Sequence, residues 1–287
     1  MKKYGNYLLA VLVFAVVMLI FNGWSIVLSL AAALCGALMR GAAGVMDAAH
    51  FLLDHLNFFS FLVYFTAFCV FALWHYFASS VKETSLEQTG RRKLLRDPSG
   101  LIWIAALALA VQHLTSIVFG IISVVAPELM EAYTRMMETS GVTEYSVMWC
   151  VSTLILPPLT EEIIFRGLIT QYVCRGGAPF AVANIIQAVF FGIFHQNIVQ
   201  GVYAALLGMI LGYLARRFGT LAAPMFMHLC FNLFGTVLVD LENAFLPDTV
   251  QVVLVIISLP LTVFLLIMIH LHTGERHSKR ERQGEEI

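Results

Sequence analysis

The chain is poor in charge. Of its 287 residues only 12% are Asp, Glu, Lys or Arg, whereas 60% are hydrophobic. A soluble domain carries about 25% charged residues, so this chain lacks the polar side chains needed to cover a water-facing surface. That excludes an ordinary soluble domain and leaves a polytopic membrane protein. An excess of one sign is missing too: the net charge is -1, and no global field points to nucleic acid. Cysteine is sparse and unpatterned. Cys35, Cys69, Cys150, Cys174 and Cys230 form no C-x-x-C pair and are odd in number. They read as small buried apolar residues kept as thiols. A cleavable leader is not expected. The apolar run from Tyr7 to Met39 is far longer than a signal-peptide core, and Leu34 stands before Cys35 where a lipoprotein signal needs a small residue. Sequence repeats and low-complexity segments are not evident.

What the chain has in quantity is apolar sequence in runs long enough to cross a bilayer. Eight spans are expected, near 7–36, 57–79, 100–125, 145–173, 179–196, 198–215, 221–239 and 250–272. The fifth and sixth are short and close together. The fourth is about 43 Å long at 1.5 Å per residue, and Pro157-Pro158 is its expected kink. The fold class is all-α, a polytopic transmembrane helical bundle. Its expected divisions are N-terminal spans (1–144), a core carrying the chemistry (145–240), and a last span with a tail (241–287). With the N-terminus in the cytoplasm, one side receives Lys2, Lys3, Lys82, Arg91, Arg92, Lys93, Arg96, Arg175, Arg216, Arg217, Arg276, Lys279, Arg280 and Arg282. The other side receives only Arg40 and Arg135, beside the acidic Glu128, Glu131, Glu138, Glu144, Asp240, Glu242 and Asp248. This asymmetry predicts an integral protein, in a bacterial cell membrane by its clustered inner charges, with both termini cytoplasmic. Residues 40–57 alternate at helical spacing and predict an interfacial helix. Residues 82–100 are expected to be the longest polar loop, solvated or touching anionic lipid. The tail from Thr273 is expected to be disordered.

Ionisable residues inside spans are expensive and usually face a cavity or a partner. Here the clear carboxylates are Glu161 and Glu162, in PPLTEEIIFRG. Neighbours on a helix diverge by about 100°, and residues four apart share a face. Glu162 therefore faces Arg166, forming a buried ion pair. Glu161 points elsewhere, and its own i+4 neighbour is the apolar Phe165. A carboxylate in an apolar site is suited to general-base work. Other spans offer helpers. Gln187, Phe191 and His195 lie on one face of the fifth span, and His228 and Asn232 on one face of the seventh. Counted from the span ends, Glu161, His195 and His228 lie about 18, 24 and 17 Å deep, which permits them to meet. Glu161 with a histidine could hold and deprotonate a water, while His228 and Asn232 could donate hydrogen bonds to an oxyanion. Read singly, each has a plainer account: a structural ion pair, a hydrogen-bonded core histidine, and an interhelical amide.

At these residues the sequence resembles the CAAX-processing and bacteriocin-processing intramembrane proteases, also called abortive-infection-like proteins. The type II CAAX prenyl endopeptidase is the eukaryotic member. The family pattern stands here as Glu161-Glu162-x-x-x-Arg166, Phe191-x-x-x-His195 and His228-x-x-x-Asn232, in order, within roughly residues 150–240. The resemblance implies a membrane endopeptidase in which Glu161, helped by His195, activates water. It makes His228 and Asn232 the oxyanion site, and Glu162 and Arg166 supporting residues. A zinc ion on Glu161, His195 and His228 is compatible by residue type, but H-E-x-x-H is missing, and a metal-free mechanism needing no cofactor fits at least as well. The expected partners are the lipid bilayer and a peptide or membrane-protein substrate, such as a pheromone, a bacteriocin precursor or a protein tail. Two other classes compete. A proton-coupled transporter predicts internal repeats and paired broken helices. A non-catalytic scaffold or immunity protein would tolerate loss of Glu161.

Overall fold

The computed structural model describes residues 2–139 and 145–283, all helix and connections. Among these residues ten helices follow in order: α1 (Lys2–Asp54), α2 (Leu56–Ala78), α3 (Val81–Leu95), α4 (Pro98–Val125), α5 (Pro127–Thr139), α6 (Val147–Arg175), α7 (Phe180–Phe194), α8 (Ile198–Phe218), α9 (Ala222–Phe245) and α10 (Asp248–Gln283). Seven of them, α1, α2, α4, α6, α8, α9 and α10, are long and apolar enough to cross a membrane. The expected all-α membrane bundle is therefore observed. The fifth expected span is shorter than foreseen, a 15-residue apolar helix.

Three expectations change. The loop at 82–100 is instead largely α3. Ser80 accepts from the Glu83 backbone N–H while Glu83 closes back on the Ser80 N–H, a reciprocal cap that nucleates a helix in spite of its polar composition. The segment 40–57 is helical as expected, but it does not stand alone. Gly41 adopts φ 65°, ψ -143° inside α1, a conformation that glycine tolerates, and the chain doubles back there. Gly36 and Gly44 then meet backbone to backbone, with no room for a Cβ on either. The tail is helical through Gln283. Residues 284–287, like Glu144 of the acidic set, lie outside the described residues. The five cysteines form no disulfide, but only Cys230 is buried; Cys35 and Cys69 are exposed.

The chain forms two compact units, Met1–Ala78 with Thr134–Ala183, and Ser79–Tyr133 with Asn184–Ile287. In the first, α1 and α2 pack on each other and on α6. Its core is built from Val13, Val17, Ala67, Phe71, Ile164, Phe165 and Leu168, all at or near zero exposure. In the second, α4 packs against α9 and α10, and α8 against α9, around Ile104, Leu107, Leu211, Met227 and Ile269. α10 shows the polarity of a lipid-facing helix. Val252, Ile256, Leu259, Val263 and Ile267 form an exposed stripe, while Ser258, Thr262 and Thr273 are buried.

Candidate active site

The candidate residues divide between the two units. Glu161, Glu162 and Arg166 lie on α6, in the first. Pro157 and Pro158 cannot donate backbone hydrogen bonds to the preceding turn, and the helix answers by widening. Residues Cys150–Ile155 form a π-helical stretch, Leu156–Glu162 return to α geometry, and Ile163–Ile169 widen again. The expected disturbance at the prolines is thus a pair of wide turns bracketing the glutamates. Such insertions occur often at functional sites.

Both glutamates are buried, Glu161 at 2% and Glu162 at 0% exposure, as is Arg166 at 4%. The Arg166 charge acts on both, but their hydrogen bonds reach different groups. Arg166 Nη1 donates to Glu162 Oε1 at 2.9 Å. Glu161 Oε1 instead accepts from the Tyr64 hydroxyl of α2 at 2.8 Å. Sequence reasoning missed Tyr64. It lies 97 positions away, and one tyrosine among the apolar residues of a span carries no signal of its own.

Phe191, His195, His228 and Asn232 lie in the second unit. α7 ends at Phe194, so His195 follows directly on its last turn. Its Nδ1 is 2.7 Å from the Phe191 carbonyl oxygen. A carbonyl only accepts, so Nδ1 carries a proton; in the neutral imidazole Nε2 is then the acceptor. The chain then turns through Gln196, at φ 54°, to Asn197, whose side chain caps α8. Gly192 and Gly201 touch across this turn and hold α7 against α8. Gln187, expected on the face of His195, is fully buried and donates from Nε2 to the Gly208 carbonyl at 2.9 Å. It is a structural tie between α7 and α8. The Phe191 ring meets two imidazoles edge-on, His195 at 4.8 Å and His228 at 5.8 Å between centroids. The structure thus brings Phe191, His195 and His228 together, with Asn232 one turn along α9 from His228. A further π-helical stretch, Phe234–Leu238, begins two residues after Asn232.

α9 is anchored by a residue the sequence reading left in a loop. Glu87 of α3 accepts from the Thr220 hydroxyl and from the Leu221 backbone N–H, the latter at 2.9 Å to Oε2. Among the described residues no three His, Cys, Asp or Glu side chains are grouped as a metal site requires.

The comparisons bear on the stretch that holds these residues. Residues 143–234 match the family model described as type II CAAX prenyl endopeptidase Rce1-like. That segment is Rce1-like. It spans about a third of the chain and contains Glu161, Glu162, Arg166, Phe191, His195, His228 and Asn232. No curated protein matches the chain, and no solved structure does. Residues 143–234 are thus similar to type II CAAX prenyl endopeptidases, in a chain with seven helices long and apolar enough to cross a membrane.

Proposed function

We propose that the protein is an intramembrane endopeptidase that hydrolyses a peptide bond of a membrane-associated protein or peptide, with Glu161 as general base. The observation that carries this reading is the partition of the glutamates inside the Rce1-like segment. Arg166 bonds to Glu162 and also interacts electrostatically with Glu161, while Glu161 accepts a hydrogen bond from the Tyr64 phenol. The ion pair is structural, and the second carboxylate is kept for proton transfer.

In the proposed reaction Glu161 takes one proton from a water molecule, with His195 Nε2 accepting a hydrogen bond from the same water. The water oxygen bonds to the scissile carbonyl carbon. The oxyanion that forms is met by N–H donors of His228 and Asn232. Glu161 then gives its proton to the amide nitrogen, the C–N bond breaks, and a carboxylic acid and an amine leave. Every proton is accounted for without a metal. The sparse polar surface of the chain fits a substrate reached from the bilayer, such as a peptide precursor or a protein tail.

The test is purified protein in detergent, offered a peptide library, with cleavage, melting temperature and zinc content measured together. Glu161→Gln is expected to lower cleavage by at least about a hundredfold with the melting temperature retained. Persistent cleavage by that variant sinks the assignment. Stoichiometric zinc that leaves together with activity overturns the metal-free step.

A further inference from the structure

We infer that Tyr64 is a positioning residue for Glu161, supplied from outside the Rce1-like segment. Its consequence for catalysis rests on the endopeptidase reading; the contact itself does not. The Tyr64 hydroxyl donates to Glu161 Oε1 at 2.8 Å. A hydrogen bond to a carboxylate is stronger and more directional than one between neutral groups, and it fixes the plane in which the second oxygen lies.

The level of Tyr64 is set from both sides. Ser152 donates to Asn57 Oδ1, Trp74 donates to the Tyr172 hydroxyl, and Arg175 donates to the Ala78 carbonyl. With Tyr64–Glu161 these pairs are 95, 97, 98 and 97 positions apart along α2 and α6. A near-constant offset means that the two helices run parallel and in register over more than five turns. Sliding one helix along the other would break all four contacts. The ring is fixed as well. It packs edge-on against Phe21 of α1, with centroids 4.9 Å apart and planes at 85°.

Tyr64 also lines a groove of about 270 Å³ whose other walls include Phe21, Ser25, Leu28, Phe59 and Ser60. Its hydroxyl meets Glu161. Tyr64 is therefore both a wall of the groove and a partner of the carboxylate. A phenylalanine here would keep the wall and the ring contact and lose only the orienting bond. That makes Tyr64→Phe a clean probe.

The experiment compares wild type, Tyr64→Phe, Phe21→Leu and Glu161→Gln in detergent. It reads kcat and KM on a peptide found by library screening, melting temperature, and the infrared carboxyl bands of protein carrying 13C-labelled glutamate. Tyr64→Phe is expected to keep its melting temperature and KM while kcat falls on the order of tenfold to a hundredfold, as for other loosened catalytic groups. The carboxyl band that Glu161→Gln removes should shift in Tyr64→Phe. Phe21→Leu, which keeps the hydroxyl, should leave the band in place and kcat largely intact. An unchanged kcat or an unshifted band in Tyr64→Phe overturns the inference, as does an equal kcat loss in Phe21→Leu. Should wild type cleave nothing, the endopeptidase reading fails, and the infrared comparison alone decides whether Tyr64 holds Glu161.

Discussion

Two adjacent glutamates with 2% and 0% exposure behave as different residues because a helix turns about 100° between them. Glu162 and Arg166 are both desolvated, and each is tolerable because of the other. Removing one partner of such a buried pair leaves an uncompensated charge, at a cost of about 3–5 kcal/mol. Glu162→Gln is therefore expected to lower stability by about that much, seen as a lower melting temperature in detergent. The double change Glu162→Leu with Arg166→Leu should recover most of the loss, since apolar replacement of a whole buried pair is close to neutral. Equal melting temperatures for wild type and Glu162→Gln would rule out the structural role. The Glu162–Arg166 pairing was legible in the sequence, because a four-residue spacing is a local property. The partner of Glu161 was not. Tyr64 reaches it through the register of two helices far apart in the chain, and that register is a property of packing.

Elements explain where the polar connections were misread. Residues 82–100 have the composition of a loop, yet Ser80 and Glu83 start a helix there. The signal was present as S-x-x-E, and the charge count hid it. α3 has a further use, because Glu87 caps the start of α9 through Thr220 and Leu221. Gly90 lies backbone-close to Gly219, which brings the carboxylate within reach. His228 lies seven residues beyond Leu221, two turns into that helix. Loss of a helix cap costs about 1–2 kcal/mol, so Glu87→Ala is expected to destabilise by that amount. It should also reduce cleavage by letting the helix of His228 fray, while Glu87→Gln, which keeps an acceptor, should lose less. Matching melting curves for the alanine variant and wild type would show that the cap is idle. α7 carries a different lesson. Fifteen residues reach about 22 Å, short of a hydrocarbon core of about 30 Å. That length alone does not carry α7 across a bilayer.

Within each compact unit, the contacts show which helix ends lie together. In the first unit, Asn6 bonds to the Arg175 carbonyl, Tyr7 lies against Gly176, and Arg175 bonds to the Ala78 carbonyl. The chain start, the end of α2 and the end of α6 therefore share one end. In the second, Glu87 meets Leu221, Asp97 meets His272, and Arg217 meets Thr273. These positions are the loops to which the charge count assigned the cytoplasm. Tyr203, near the start of α8, instead contacts Phe119 and lies 3.5 Å from the Tyr133 hydroxyl, at the opposite end of that unit. If α7 crosses, the chain makes eight crossings and both termini face the cytoplasm. If it does not, the count is seven and the termini part. Fluorescent-protein fusions that mature only in the cytoplasm should therefore glow at both the N- and C-terminus. A cysteine placed at Glu131, in a chain whose native cysteines are replaced, should react with an impermeant maleimide added outside intact cells. A dark C-terminal fusion on a folded, membrane-inserted chain would make the count odd and leave α7 as the helix that enters without crossing.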